Sequence, residues 1–330
     1  MEEKNMEKTD PSPWNSRTKT SSMRWGILRQ AFLRCRADHP DYQSQSGIEH
    51  ISRKTSHGFN LISCQLINDG LVPDASGSSL KMNNLDGLRD TCMRYTLPLE
   101  GAPSLVLIQR VENYVDFNEF ETCNKFEVDN TGLVCRWPSE DVLAYFCLSY
   151  AEKFRSKRIL ELGSGYGLAG LVIAAGTDAL EVVISDGNPL VVDYIQRNIN
   201  ANCGALGDTN VKSMTLHWNQ DQVSCNLDPF DIIVASDCTF FKEFHEGLAQ
   251  TVKSLLKQSG TSEAIFFSPK RGDSLDKFLQ EVEEIGLHYS VTENYNGEVW
   301  KRHLRFLSGD YSWPNYEKDH CYPLLVRITF

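Results

Sequence analysis

The sequence predicts an α/β protein: a Rossmann-like, seven-stranded, largely parallel sheet with helices on both faces, preceded by a small β-rich N-terminal module. Three observations lead there. From residue 158 onward, short runs rich in Val, Ile and Phe alternate with stretches of helical period, and parallel strands need such crossover connections. The first of these runs, RILEL, feeds directly into the glycine-rich GSGYGLAG. Before residue 135, strand-type segments follow one another with no helical pattern between them.

Residues 1–22 are rich in Lys, Glu, Ser, Thr and Pro and show no apolar period, so they read as a disordered tail. The segment 23–36, MRWGILRQAFLRCR, sets Trp25, Leu28, Phe32 and Leu33 at helical spacing among Arg24, Arg29, Arg34 and Arg36. A short basic amphipathic helix of this kind suits either docking of a partner or packing onto the rest of the chain. Strand-type residues at 59–66, 91–99 and 104–110 flank a Gly/Ser/Asn/Asp-rich stretch over 68–90, which reads as a loose connection inside a module spanning 23–134. The main domain is expected over 135–330, opening with Pro138 at the start of a helical pattern through Val142, Tyr145, Phe146 and Ser149. Strands follow at 158–162, 181–185, 211–218, 230–236, 264–269, 289–294 and 323–330, with helices at 168–176, 189–203, 243–258 and 273–286.

Composition narrows the functional classes. With 330 residues, 41% hydrophobic and 23% charged, the chain can bury one large core or one large and one small. No apolar stretch is long enough for a membrane span, and the N-terminus lacks the pattern of a secretory signal. The 10 cysteines contain no Cys-x-x-Cys pair and no His/Cys group at zinc spacing, so reduced thiols, no metal, and a place in the cytoplasm or nucleus are expected. A net charge of -11 argues against a general nucleic-acid partner.

Gly163, Gly165 and Gly167 fall at a strand-to-helix turn, where absent side chains let a ligand approach the backbone. A tight turn without a ligand, or the G-x-G-x-x-G of a dinucleotide site through Gly165, Gly167 and Gly170, fits the same letters. Asp186 closes the next strand, where a carboxylate can accept hydrogen bonds from ribose hydroxyls; it could equally cap the following helix. Nicotinamide and S-adenosylmethionine enzymes share this arrangement. The methyl donor is favoured because the loop has no phosphate-binding Lys, and because a cationic sulfonium is drawn to carboxylates that would repel pyrophosphate.

Glu161, two residues before Gly163, completes E-x-G-x-G-x-G, which resembles motif I of class I methyltransferases. RWPSEDVLAYF, LHWN, SDCTF and FFSPKRGDSLDKF extend the likeness to the seven-strand protein-lysine methyltransferases, with Asp237 to Phe240 as D-x-x-[YF]. DNTGLVCRWPSEDVLAYFCL, SDGN, SPKRG, ENY and the terminal YPLL are similar to the branch of that family acting on calmodulin. The resemblance implies S-adenosylmethionine as cofactor and calmodulin as protein substrate. It implies that Trp137 covers the methionine end of the cofactor and that Gly163, Ser164 and Gly165 approach it. Asp186, with Gly187 and Asn188, would hold the ribose, while Trp218 and Ser236 would line the adenine and methyl-donor side. Trp137 and Trp218 could also be plain core aromatics.

Asp237, at the carboxyl end of the fourth strand, is placed by the fold's general rule at the ligand crevice, where it can hold the substrate amine, with Phe240 walling the lysine channel and Tyr295 a further candidate for contact. A capping role before the helix at 243 is the alternative for Asp237. The branch usually has Tyr where this chain has Phe240, so no catalytic hydroxyl is available there. Between the last two strands, VWKRHLRFLSGDYSW reads as a basic aromatic patch that could steer an acidic protein, or as a solvated helix face; Lys270 and Arg271 would add to it.

Overall fold

Alternating burial sets the architecture. In the computed structural model, which describes residues 58–67, 71–73, 79–81, 90–111, 128–134, 137–218 and 227–330, successive strand residues enter two different cores. Ile159, Ile232, Val234, Ile265 and Phe267 join one hydrophobic cluster, while Leu160, Leu162, Ile233, Ala235, Ala264 and Phe266 join another. A sheet apolar on both faces must be covered on both, and the intervening helices do this.

Along the chain come β1 (Ser63–Ile67), β2 (Leu71–Pro73), β3 (Ser79–Lys81), β4 (Asp90–Thr96), β5 (Ser104–Arg110), α1 (Thr131–Val134), α2 (Pro138–Ser149), β6 (Arg158–Leu162), α3 (Leu168–Gly176) and β7 (Glu181–Asp186). Then follow α4 (Pro189–Ala201), β8 (Asn210–Thr215), β9 (Ile232–Ser236), α5 (His245–Leu255), β10 (Glu263–Ser268), α6 (Ser274–Glu284), β11 (His288–Thr292), α7 (Gly297–Leu307), α8 (Lys318–Cys321) and β12 (Leu324–Thr329). The main sheet has seven strands in the order β11-β12-β10-β9-β6-β7-β8. Neighbours among β6 to β10 pair in parallel, and β12 runs antiparallel to both of its neighbours. The chain moves outward from β6 through β7 to β8, then returns to lay β9 on β6's other side. That reversal opens a crevice at the carboxyl ends of β6 and β9.

All seven expected strands are in this sheet, with ends shifted by a few residues. β8 stops at Thr215, short of residue 218; Leu216 N still donates to Asp186 O, and the chain then leaves the sheet. The helix over Gly297–Leu307 falls where sequence patterning offered only a helix-face alternative. Among the described residues, no helix is long and apolar enough to cross a membrane.

The N-terminal segments form an antiparallel sheet in the order β1-β4-β5, and β2 pairs with β3 as a separate hairpin. That hairpin lies within the stretch expected to be a loose connection; strands of three residues are too short to show a period amid Gly, Ser and Asp. Phe59, Tyr95, Leu105 and Leu107 share a hydrophobic cluster with α2 and α3, so packing does not break at residue 135. The expected tail over 1–22 and basic helix over 23–36 lie outside the described residues.

The free edge of β5 is closed by two amides one helical turn apart, Asn198 on α4 and Asn202 at its C-terminal cap. Asn202 Oδ1 accepts from Val106 N (2.8 Å) and its Nδ2 donates to Val106 O (2.6 Å). Asn198 does the same for Ile108, at 2.7 and 3.3 Å. Residues i and i+2 of a strand and i and i+4 of a helix both advance about 6–7 Å, so the two repeats match. On the other side, Asp141 of α2 accepts from Leu61 N at 2.9 Å and Ile62 N at 3.3 Å. Asn198→Ala, which strands a buried backbone donor and acceptor, is expected to lower unfolding free energy by about 1–3 kcal/mol in urea titration.

Candidate functional site

β6 ends in the turn Gly163–Gly167, which enters α3. Gly163 has φ +57, and a Cβ there would lie 2.7 Å from Cys238 Sγ and 3.1 Å from the Trp218 ring. No side chain fits. Gly167, with φ +81, is the N-terminal cap of α3 and faces Ile184 of β7. Beneath the loop, buried Glu161 accepts from Gly170 N at 2.8 Å, which ties the first turn of α3 to β6. Burial pushes its carboxyl well above the usual range, and the charges of Glu140 and Asp186 push the same way.

Asp186 ends β7. Its Oδ2 accepts from Gly165 N at 3.2 Å and its Oδ1 from Asn188 N at 2.9 Å. The capping of α4 belongs to Asn188, whose Oδ1 accepts from Leu190 N at 3.0 Å, so Asp186 is not the cap. Burial pushes the Asp186 carboxyl up to about 6, against the opposing pull of the Asn188 and Gly165 N–H groups.

Gly163, Ser164, Gly165, Asp186 and Asn188 line an open cavity together with Asp129, Thr131, Gly132, Trp137, Glu140, Gly187, Trp218, Ser236 and Asp237. One wall is aromatic, with Trp137 and Phe240 centroids 5.8 Å apart and Phe241 and Phe244 continuing it toward Trp218. Asp237 follows β9 with φ +56, its N–H bonded to Phe267 O at 2.9 Å. Its carboxylate is buried and ion-paired with Arg271 at 2.6 Å, yet neither oxygen has an aligned hydrogen-bond donor.

A family model described as lysine methyltransferase matches residues 127–285. A calmodulin-lysine N-methyltransferase of Arabidopsis thaliana is 59% identical, over 94% of this chain and 97% of that protein. A mouse protein-lysine N-methyltransferase, EEF2KMT, is 25% identical over 52% of this chain and 54% of its own. A rat histidine protein methyltransferase 1 homolog is 27% identical over 50% and 52%. The chain belongs to the lysine methyltransferase family.

The methyl donor of this methyltransferase is S-adenosylmethionine, and the cavity fits it on three counts. The bare backbone of Gly165, on the cavity wall, leaves room for a ligand against the loop, since a Cβ there would meet only Gly132 O at 3.5 Å. Among the described residues, no Lys or Arg lines the wall, whereas Asp129, Glu140, Asp186 and Asp237 do, which suits a cation and opposes pyrophosphate. Ser164, buried and on the wall, has a hydroxyl with no protein partner. Among the described residues, no group of His, Cys, Asp and Glu could hold a metal ion.

Of the residues singled out in the sequence, the methyltransferase brings Trp137, Gly163, Ser164, Gly165, Asp186, Gly187, Asn188, Trp218, Ser236, Asp237 and Phe240 onto one cavity. Glu161 and Gly167 lie behind it as supports for the loop. Tyr295 is a correction: it does not reach the cavity. Its ring packs on Phe146, Phe267 and Tyr322, and its hydroxyl donates to Pro323 O at 2.8 Å. Asp129, Thr131, Gly132 and Glu140 were missed as individual lining residues, although they lie within or beside the quoted DNTG and WPSE stretches. Phe241 and Phe244 were missed because they follow the D-x-x-[YF] pattern rather than belonging to it.

The patch on α7 is also corrected. Val299, His303, Phe306 and Trp313 are buried and pack with Phe59, Tyr316 and Tyr322. Arg302 donates to the carbonyls of Phe59 and Asn60, and Arg305 pairs with Asp310 at 2.6 Å. Lys301 remains exposed, but the aromatic half of the patch is core.

Hydroxyl groups that bond to Asp186 favour its ionised form, so cofactor affinity should rise with pH through about 6. Calorimetry from pH 5 to 7.5 is expected to show this inflection, and Asp186→Asn to abolish it while weakening binding by about 1.5–3 kcal/mol. Tyr295→Phe is expected to cost about 1 kcal/mol of stability in urea titration and to leave kcat unchanged.

Proposed function

We propose that the protein transfers methyl groups from S-adenosylmethionine to a lysine side chain of calmodulin. The observation that carries the chemistry is Asp237 beside the Trp137–Phe240 wall, at the carboxyl end of β9 and next to the glycine loop. The calmodulin assignment is supported by similarity along 94% of the chain to the Arabidopsis enzyme named for that substrate.

When bound, S-adenosylmethionine supplies an electrophilic methyl group on a cationic sulfur. Trp137, Ser164, Gly165, Asp186 and Trp218 would hold it. The remaining task of the protein is to present a neutral amine, although free lysine has a pKa of about 10.4. Trp137 and Phe240 desolvate the amine, which favours its neutral form, and their ring faces attract it while it is still charged. Asp237 orients the amine by accepting its N–H bonds. Phe240 offers no hydroxyl to hold an N–H fixed, so a methylated nitrogen can turn, and alkylated ammonium groups suit aromatic walls. Addition of up to three methyl groups follows from that wall.

Place follows from the same reading. Buried free thiols at Cys92 and Cys147 suit the reducing cytoplasm or nucleus. Another acidic protein as substrate is the competing outcome.

Incubation with unmethylated calmodulin and S-adenosylmethionine, followed by intact and peptide mass spectrometry, should add about 14, 28 or 42 mass units to one lysine. No mass gain, with cofactor binding retained, would overturn calmodulin as the substrate. Asp237→Ala is expected to bind cofactor within about threefold of wild type and to lose at least about a hundredfold in kcat, the scale of a lost positioning contact.

A further inference from the structure

Asp237 poses a chemical problem that the structure itself answers. A carboxylate beside the incoming amine favours ammonium, the form that has no lone pair for reaction; an opposite charge within about 4–6 Å shifts a pKa by about 1–3 units. The counter-charge comes from the next strand of the sheet. Arg271, three residues beyond β10, places Nη2 2.6 Å from Asp237 Oδ1. Its guanidinium carbon lies 4.7 Å from the Trp137 ring centre and 5.2 Å from that of Phe240. Three walls of the cage therefore share one resident cation.

The pair is built in. The Asp237 side chain is 2% exposed and that of Arg271 10%. Both residues hold left-handed backbone, with φ +56 and +43, a conformation that non-glycine residues adopt at a cost. Arg271 N donates to Asp319 O at 2.7 Å, which anchors the loop to the segment that forms α8. Arg271 does not line the cofactor cavity, so it stands behind the aromatic wall.

We propose that Arg271 is a positioning residue for methyl transfer: by neutralising and orienting Asp237, it lets the substrate amine enter the cage as the free base. The proposal rests on the reading of the protein as a calmodulin-lysine methyltransferase. Asp237 keeps its acceptor oxygens for the amine N–H, while its charge is balanced by the guanidinium beside it. A second cation beside Arg271 is disfavoured, which pushes the amine further toward neutrality.

Other titratable groups stand around the cage and the cavity. Cys238, on the same turn, and Cys321, from α8, have thiols held above the ordinary range by burial. Asp186 and Glu140 line the cavity and Glu161 lies behind the glycine loop; burial pushes the Asp186 carboxyl up to about 6 and raises that of Glu161. Lys270, next in the chain, turns outward to Asp276 at 4.0 Å.

The test is the pH dependence of single-turnover calmodulin methylation from pH 7 to 10, in wild type, Arg271→Gln and Arg271→Lys, with cofactor titration confirming that each variant is folded. Arg271→Gln should move the midpoint of the rate profile to higher pH by about one to two units. Arg271→Lys, which retains the charge, should keep the wild-type midpoint. An unmoved midpoint in Arg271→Gln, with the rate lowered equally at every pH, would reduce Arg271 to a structural role and overturn the proposal. An unmoved midpoint with a lower KM for calmodulin would overturn it differently, marking Arg271 as a plug that substrate lysine displaces. Wild-type enzyme that leaves calmodulin unmethylated at every pH would instead overturn the parent reading, and this one with it.

Discussion

The carboxyl ends of β6 and β9 meet across a gap that admits no side chain at residue 163. Cys238 closes it from the β9 side, its thiol donating to Leu162 O at 3.3 Å, and Trp218 closes it from above. Because the strand order reverses between β6 and β9, no connecting helix covers this point, and the two loops that leave it diverge. The glycine loop runs one way to α3; the Asp237 turn runs the other way to the aromatic wall. A ligand lying along the first loop is thereby brought to the carboxylate of the second, and a one-atom enlargement at Gly163 would push them apart.

Charge is distributed to match. Among the described residues, the cavity wall carries carboxylates and no Lys or Arg, and burial raises the carboxyls of Asp186 on the wall and Glu161 behind the loop. Such groups are costly to ionise in an empty site and become less so beside a cation. Asp237 differs in having its own arginine, so the acidic lining can attract a sulfonium while the amine cage remains nearly neutral. The N-terminal sheet keeps this geometry rigid from behind: Tyr166, inside the glycine loop, donates to Leu133 O at 2.6 Å and accepts from Arg110 N at 3.1 Å.

Much of this was legible in the sequence because it depends on local pattern. RILEL before GSGYG announces a strand entering a ligand loop, and ISDGNP announces a strand end followed by a helix. The period-two exchange between two cores is visible in IIVAS and AIFFS. What escaped depends on distant pairing. Nothing near Asn198 or Asn202 tells that their amides complete the edge of a strand about ninety residues earlier. Tyr295 looks free in ENYN, and its hydroxyl is committed to Pro323 by the antiparallel return of β12. The α7 segment reads as a basic aromatic patch because its buried ring partners, Phe59 and Tyr322, lie far away in the chain. Arg271 looks like one more surface charge in SPKRG, and the adjacency of β9 and β10 makes it the partner of Asp237.

The claim on which the account turns is that S-adenosylmethionine binds at the contact between these two strand ends. Calorimetric titration of S-adenosylmethionine into the wild-type and Gly163→Ala proteins tests it most directly. The account predicts that the variant, shown folded by its circular dichroism, loses roughly a hundredfold in affinity, about 2.7 kcal/mol. An unchanged dissociation constant in the folded variant would contradict it and move the cofactor site away from the glycine loop.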